Sequence, residues 1–226
     1  DLNKIGNIFV YDTGLSEETV KKYSVFDKVK VVPSGIKTDS DNSVHGKTWQ
    51  ENVYSKAKLL KHCVENQESF LPTVMVDADS IFVKEFFHLV DLDSQLVLCK
   101  RSPRGRTKGH ISTSSHIGSF FSINERSEQT IKFLDFWVDK INSVSDRHPL
   151  TAAYMAKESP SLSFAYEEFK DKMKLTDLPE PTISNIEVFP PKEAVIYHLK
   201  SDAEYMTVQA RTFQPKARYY TRRYLA

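Results

Sequence analysis

Short runs of apolar and β-branched residues alternate along this chain with segments whose apolar residues recur every three or four positions. The runs predict strands at residues 7–11, 28–32, 73–76, 95–99, 116–123, 186–189 and 194–197. Helical periodicity is clearest from Trp49 to Val64 and returns from Ile131 to Ile141. Ser16 followed by two glutamates is typical of the start of a short helix. The alternation predicts an α/β fold.

The strand at residues 73–76 leads directly into Asp77-Ala78-Asp79. Carboxylates at the end of a buried strand are costly unless a cation compensates them. Mg²⁺ and Mn²⁺ take oxygen ligands and often use only one or two protein carboxylates beside substrate phosphates. The alternative is that the two aspartates only cap a turn. An EF-hand is excluded, because a loop starting at Asp77 would have Phe82 and His88 where glycine and glutamate are needed.

Composition narrows the class of protein. The 226 residues carry a net charge of +1 and are 40% hydrophobic, which favours one α/β domain and argues against a nucleic-acid binder. Cys63 and Cys99 lie in apolar patterns and predict buried thiols, hence a reducing, cytoplasmic setting. No apolar run approaches the ~20 residues of a membrane span. The opening Asp1 is compatible with a piece of a longer polypeptide.

Two further positions suggest phosphate chemistry. Lys56 flanks the apolar stripe of the long helix and is expected to point toward the fold, whereas Lys58 points to solvent. Such a lysine often only lays its stem along apolar surface, and a phosphate contact is the alternative. His198 ends the last strand with Lys200 just beyond, a pairing that suits Mn²⁺ and phosphate as well as a purely structural histidine. The polar segments at residues 34–47 and 100–115 are expected to be mobile loops, the second a basic lid or a solvated loop.

In this order of motifs the chain resembles the GT-A class of nucleotide-sugar glycosyltransferases. The matching segments are Tyr11-Asp12-Thr13-Gly14-Leu15-Ser16, Tyr54-Ser55-Lys56, Asp77-Ala78-Asp79 and His198-Leu199-Lys200-Ser201. The resemblance implies a single GT-A, Rossmann-like domain with a mixed, mostly parallel sheet flanked by helices. Residues 1–110 would form the nucleotide and metal half, 111–205 the sugar and acceptor half, and 206–226 a basic aromatic C-terminal segment.

The resemblance also implies a site. Asp77, Asp79 and His198 would hold Mn²⁺ or Mg²⁺, and the donor would be a nucleoside diphosphate sugar, with UDP favoured. Donor contacts are implied for Tyr11, Asp12, Thr13, Lys56, Gly118, Ser119, Lys200 and Ser201. Related retaining enzymes carry an Asn-x-Gly-type segment at the position of His116-Ile117-Gly118-Ser119, and this sequence departs from that pattern. Family members also often have a further strand before the turn that starts at Tyr11, whereas only residues 1–6 precede the strand at 7–11 here.

The predicted reaction is transfer of a hexosyl group to a hydroxyl of a glycan or another acceptor, with Asp79 acting through the metal. An inverting enzyme needs a carboxylate base, for which Asp146, Glu167 and Glu168 are candidates, whereas a retaining enzyme does not. One alternative is a haloacid-dehalogenase-type phosphatase with Asp77 as nucleophile and Asp79 as acid/base, although a late acidic pair is missing. Another is a non-catalytic sugar-nucleotide-binding module.

Overall fold

The computed structural model describes residues 2–35, 47–78, 80–90, 93–101, 107–108, 111–112, 114–145, 157–179, 182–184 and 192–198. Four α-helices lie in these ranges: α1 (Glu17–Tyr23), α2 (Lys47–Glu65), α3 (Glu128–Ser143) and α4 (Glu158–Phe169). The first five strands are β1 (Ile8–Asp12), β2 (Val29–Pro33), β3 (Thr73–Val76), β4 (Ser80–Phe82) and β5 (Leu96–Lys100). The others are β6 (Thr107–Lys108), β7 (Ile111–Ser112), β8 (His116–Ile123), β9 (Leu175–Pro179), β10 (Ile183–Ser184) and β11 (Ile196–His198).

The central sheet has the strand order β3-β8-β5-β9. Strand β8 runs antiparallel to both of its neighbours, β3 and β5, and β5 pairs in parallel with β9. The sheet is therefore mixed, as expected, although parallel pairing is less prevalent than expected because β8 is inserted in the opposite direction. The carboxyl ends of β3, β5 and β9 and the amino end of β8 consequently meet at one edge of the sheet.

Three helices cover one face of this sheet. The main core joins residues of α2, α3 and α4 to Phe121 and Ile123 of β8 and to Leu96 and Leu98 of β5. Trp137 is fully buried at its centre, where its ring stacks on Phe121 with centroids 5.4 Å apart. Every residue of β8 is buried, because helices pack on one side and a second apolar cluster lies on the other.

The described residues form three smaller sheets besides the central one: β1-β2, β10-β11-β4 and the short β6-β7 pair. Strands β1 and β2 pair in parallel around α1, whose N-cap Ser16 accepts a hydrogen bond from the backbone N–H of Thr19, as the sequence predicts. Strand β11 lies between β10 and β4 and pairs antiparallel with β4. Ile196 of β11 belongs to the second apolar cluster, so this small sheet packs against the face of the central sheet opposite the helices.

Most predicted elements in the described ranges are confirmed within a residue or two. The predicted strand at 186–189 and most of the predicted loop at 34–47 lie outside the described residues, as does the C-terminal segment 206–226. Helix α4 and strands β4, β6, β7, β9 and β10 were not predicted, and β6 and β7 lie within the segment 100–115 that was expected to be a loop. Prolines and acidic residues obscure the periodicity of α4 and β9. Among the described residues, no helix is both long and apolar enough to cross a membrane.

We expect Trp137→Phe to lower the free energy of unfolding by about 2–3 kcal/mol. The substitution removes buried ring volume and the hydrogen bond that Trp137 Nε1 donates to the Glu158 carbonyl at 3.1 Å. Urea unfolding measures the change, and Val25→Ala is the control because Val25 is largely exposed. If both substitutions lower the free energy of unfolding by the same small amount, Trp137 does not have the packing role in the core that we assign to it.

Candidate functional site

Asp77 holds both of its carboxylate oxygens against basic side chains. Its Oδ1 forms an ion pair with Lys56 Nζ, and its Oδ2 lies 3.2 Å from His198 Nε2. The three side chains are 15%, 24% and 10% exposed, in the order Asp77, Lys56, His198. Three positions that the sequence singled out separately therefore meet in a half-buried cluster.

A tight turn after β3 produces the contact between Asp77 and His198. The Asp77 N–H donates to the Ser119 carbonyl at 3.4 Å, and the Asp77 carbonyl accepts from the Ser80 N–H at 3.0 Å. Strand β4 starts at Ser80 and pairs antiparallel with β11, which places Ser80 directly opposite His198. The last strand of the described chain thus ends beside the carboxylate that follows β3.

Helix α2 brings Lys56 to the same point. Ala57, Leu60 and Val64 bury its apolar stripe in the main core, and Lys58 is exposed on the far side, as the periodicity predicts. Asn52 lies one turn before Lys56, and its side-chain oxygen is buried without a hydrogen-bond partner. The helix therefore presents polar groups, as well as a cation, toward the sheet edge.

The turn after β1 is built by its own aspartate. Asp12 Oδ1 accepts hydrogen bonds from the backbone N–H groups of Leu15 and Gly14, which lower the pKa of the Asp12 carboxyl. Thr13 lies half-buried inside this turn. Tyr11 donates to the Leu59 carbonyl of α2 at 3.4 Å, and burial followed by the neighbouring Cys63 raises the pKa of Tyr11 to about 12. The turn is thereby attached to α2 less than one helical turn from Lys56.

Gly118 and Ser119 of β8 lie at the same edge of the sheet as Asp77. Leu98 and Cys99 are consecutive in β5, but Leu98 pairs with Phe121 of β8 and Cys99 pairs with Ile117. The pairing of the two strands is therefore irregular at residues 118–120 of β8. Such irregularities are frequent beside functional sites because they re-aim side chains. The hydroxyls of Ser119 and Ser80 are buried and have no hydrogen-bond partner, and both residues adjoin Asp77.

A buried carboxylate that the sequence did not single out packs against β8 from the face of the sheet that the helices cover. Glu158, the first residue of α4, has its Oε1 directly against Gly118. Glu167, the predicted base, lies on the outer face of the same helix, where it is 58% exposed and pairs with Lys170 at 2.6 Å. Glu168 is exposed too, and pairs with Lys172. Recognition of α4 from the sequence would have separated its inward-facing glutamate from its outward-facing ones.

A second polar cluster anchors the amino end of β8. Asp177 on β9 accepts hydrogen bonds from His116 Nε2 at 3.0 Å, Lys100 Nζ at 2.6 Å and the Tyr166 hydroxyl at 3.1 Å. Burial alone would raise the pKa of Asp177, but the bonds from His116 and Lys100 outweigh it and lower the pKa to about 2. Burial and the same carboxylate raise the pKa of Tyr166 to about 12.

Several predicted site residues, Asp79, Asp146, Lys200 and Ser201, lie outside the described residues. Within the described ranges no three histidine, cysteine or acidic side chains cluster as a metal site. Asp77 and His198 nevertheless supply one oxygen and one nitrogen ligand side by side, which divalent transition metals accept. Lys56 adds a cation that suits phosphate. These are the side-chain types that a divalent ion accompanied by an anionic ligand would use.

The sequence matches no known family profile and no curated protein. The structure is similar to that of a glycosyltransferase involved in the glycosylation of the major capsid of PBCV-1, with a TM-score of 0.51 at 11% identity, covering 88% of this chain and 96% of the other. Apo GlyE of Streptococcus pneumoniae TIGR4 gives 0.48 at 14% identity, covering 87% of this chain and 47% of GlyE. An active-site mutant of LgtC gives 0.39 at 14% identity, covering 91% and 85%. The first similarity shows that the chain shares the Rossmann-like α/β fold of that glycosyltransferase.

We expect Asp177→Asn to destabilise the protein by about 2 kcal/mol above pH 4. A carboxyl whose folded pKa is about 2 stabilises the fold when ionised, and that contribution is lost as the pH falls from about 4 to 2. The difference in unfolding free energy between wild type and variant should therefore shrink over this range. Urea unfolding at several pH values measures it.

Glu167→Gln is the matched control, because exposed ion pairs contribute little and its effect should be small at every pH. A wild-type-to-Asp177→Asn difference that stays constant from pH 5 to pH 2 would contradict the assignment.

Proposed function

We propose that the protein is a metal-dependent glycosyltransferase that moves a sugar from a nucleoside diphosphate sugar, with uridine as the favoured base, to a hydroxyl acceptor. The observation that carries the proposal is the meeting of Asp77, His198 and Lys56 at one edge of a GT-A-like fold. The turn of Tyr11, Asp12 and Thr13 is attached to α2 at Leu59, three residues after Lys56, and is proposed to contact the same donor.

Asp77, Asp79 and His198 would hold Mn²⁺ or Mg²⁺ in this proposal. When bound, such an ion supplies Lewis-acid stabilisation of the charge that develops on a leaving diphosphate. The fit rests on the donor types of Asp77 and His198 and on two buried serine hydroxyls beside them that have no partner in the protein. A polar ligand would satisfy such groups, which are otherwise costly to bury.

Lys56 would bind the donor phosphates. Its ammonium group already lies at the Asp77 carboxylate, so the charge of the lysine is positioned at the edge where the anionic part of the ligand would be. Lys200 and Ser201 follow His198 directly in the sequence and are proposed to contact the same diphosphate. Ser119 and Gly118 would line the sugar side. Positioned cations of this kind stabilise developing negative charge in a dry site.

We expect Asp77→Ala and Asp79→Ala each to weaken Mn²⁺-dependent binding of UDP by at least ~10-fold, because each removes a ligand of the ion. Calorimetry with UDP and GDP, with and without Mn²⁺, measures the affinities. Asp135→Ala is the matched control, since Asp135 also pairs with a lysine of α2 but at the surface. Metal-independent binding, or affinity unchanged in both variants, would overturn the metal site.

We expect His198→Ala to reduce metal-dependent UDP affinity by ~10- to 100-fold, the range typical for loss of a supporting group at a metal site. His62→Ala is the control, because His62 is an exposed histidine on α2. The Mn²⁺ concentration needed for half-maximal UDP binding should rise only in the His198 variant. If the His198 variant needs the same Mn²⁺ concentration as the wild type, His198 is not a metal ligand and serves only as a contact of Asp77 within the protein.

A further inference from the structure

The three most exposed large apolar side chains among the described residues lie at one end of the molecule. Val25, Phe26 and Leu71 are 72%, 59% and 58% exposed, respectively. Val25 and Phe26 belong to the turn between α1 and β2, within the run of exposed residues 21–27. Leu71 immediately precedes the segment that enters β3, and its Cδ1 would lie 3.6 Å from a Cβ built on Gly6. We call Val25, Phe26 and Leu71 the apolar tip.

Contacts of residues 5–8 connect the two parts of the apolar tip. Lys28, two residues after Phe26, donates from its Nζ to the Ile5 carbonyl at 2.6 Å, and its own carbonyl accepts the N–H of Ile8 at 2.7 Å. Gly6, the neighbour of Leu71, lies between these two contacts in the chain. The apolar tip therefore gathers where β1, β2 and β3 begin.

The turn that carries Val25 and Phe26 is held by its own backbone hydrogen bonds. The Phe26 N–H donates to the Tyr23 carbonyl at 3.1 Å, and the Phe26 carbonyl accepts the Val29 N–H at 2.9 Å. Helix α1 ends beside it with the Ser24 N–H on the Val20 carbonyl, and no residue of α1 is buried. The two side chains are thus displayed by a formed turn and contribute nothing to the core. Exposed apolar groups that cluster are typical of interaction sites.

Cations surround this turn. Residues 21–30 contain four lysines and one acidic residue, Asp27, which gives the segment a net charge of +3. Lys21 and Lys22 form the last turn of α1, whereas the glutamates of α1 lie in its first turn, farther from Val25 and Phe26. Lys22 pairs with Glu18 at 2.7 Å, but both side chains are more than 70% exposed, so the pair is weak and can exchange its partner.

We propose that the apolar tip inserts into the interface of an anionic lipid bilayer, with Lys21 and Lys22 at the lipid phosphates. Apolar side chains flanked by lysines suit this surface, because the former enter the acyl boundary while the latter stay among the headgroups. A specific protein partner would need to bury about 1,200–2,000 Å² in total, far more than three side chains supply. A bilayer has no such requirement, because it accepts any projecting apolar group.

Docking at this end leaves the proposed donor site facing away from the bilayer. Strands β1 and β2 are parallel, so the turn of Val25 and Phe26 lies at their amino ends and the turn of Asp12 lies at the carboxyl end of β1. The five residues of β1 separate the two turns by about 16 Å. Binding of nucleotide and binding of lipid are therefore expected to be independent, and the inference does not rest on the proposed function.

Cosedimentation with lipid vesicles tests the proposal. The wild type should bind vesicles with about 30% phosphatidylserine in phosphatidylcholine, more weakly as salt is raised, and hardly bind phosphatidylcholine alone. The double variant Val25→Ser, Phe26→Ser should lower the partition coefficient at least ~10-fold. The double variant Lys21→Gln, Lys22→Gln should lower it ~10- to 30-fold and remove most of the salt dependence.

The matched control is the double variant Lys58→Gln, Lys132→Gln, which removes the same charge from other helices. Lys132 pairs with Glu128 at 2.6 Å as Lys22 pairs with Glu18, and Lys58 is exposed on α2. Vesicle binding of this variant should stay within about two-fold of the wild type, because charges beyond a Debye length from the bilayer are screened. An unchanged Tm in each variant shows that folding is intact.

A tryptophan reporter locates the insertion directly. Fluorescence of Phe26→Trp should shift to the blue on vesicles and be quenched by brominated lipid, whereas Phe82→Trp, at an exposed position of β4, should respond to neither.

Vesicle binding that survives Val25→Ser, Phe26→Ser, or that is absent in the wild type, overturns the inference. So does light scattering that shows a wild-type dimer and a monomeric serine variant, because the apolar tip would then join two copies of the chain. The affinity of the serine variant for UDP should equal that of the wild type. A wild type that binds vesicles but no nucleotide would contradict the proposed function alone.

Discussion

The carboxylate of Asp77 is the constraint around which this edge of the fold is organised. It follows β3, an edge strand of the central sheet whose residues are only partly buried and not fully buried as the sequence suggested, and a half-buried charge there is tolerated only with compensation. Lys56 and His198 provide that compensation, and each comes from a different part of the chain. The long helix, the turn after β3 and the last described strand must therefore all be in place before the charge is stabilised.

Strand β8 connects this requirement to the rest of the molecule. It is buried along its whole length, it separates β3 from β5, and its amino end is anchored by Asp177 through His116. The irregular pairing of β8 with β5 lies between Ile117 and Phe121 and so includes Gly118 and Ser119. Rigid anchors on both sides of an irregular segment are a common way to hold polar groups at defined positions.

Two acids beside β8, the half-buried Asp77 and the buried Glu158, differ in their surroundings. Asp77 faces a lysine and a histidine, which suits cations and phosphate chemistry, whereas Glu158 faces the Cα of a glycine and has one oxygen without a donor. The first environment balances charge within the protein. The second leaves one carboxylate oxygen without a hydrogen-bond donor from the protein, which is uncommon for a buried acid.

The sequence by itself determined the elements with strong periodicity and the acidic pair that follows β3. It also determined the inward direction of Lys56, because a helical stripe defines which side chains flank it. Helix α4 was missed, since its buried residues include serines and a glutamate rather than an apolar stripe. Asp79, Asp146, Lys200 and Ser201 remain predictions. Only the tertiary structure decided that His198 meets Asp77, that Glu167 faces solvent and that Glu158 lies against Gly118, because contacts between residues far apart in sequence depend on strand pairing and packing rather than on local pattern.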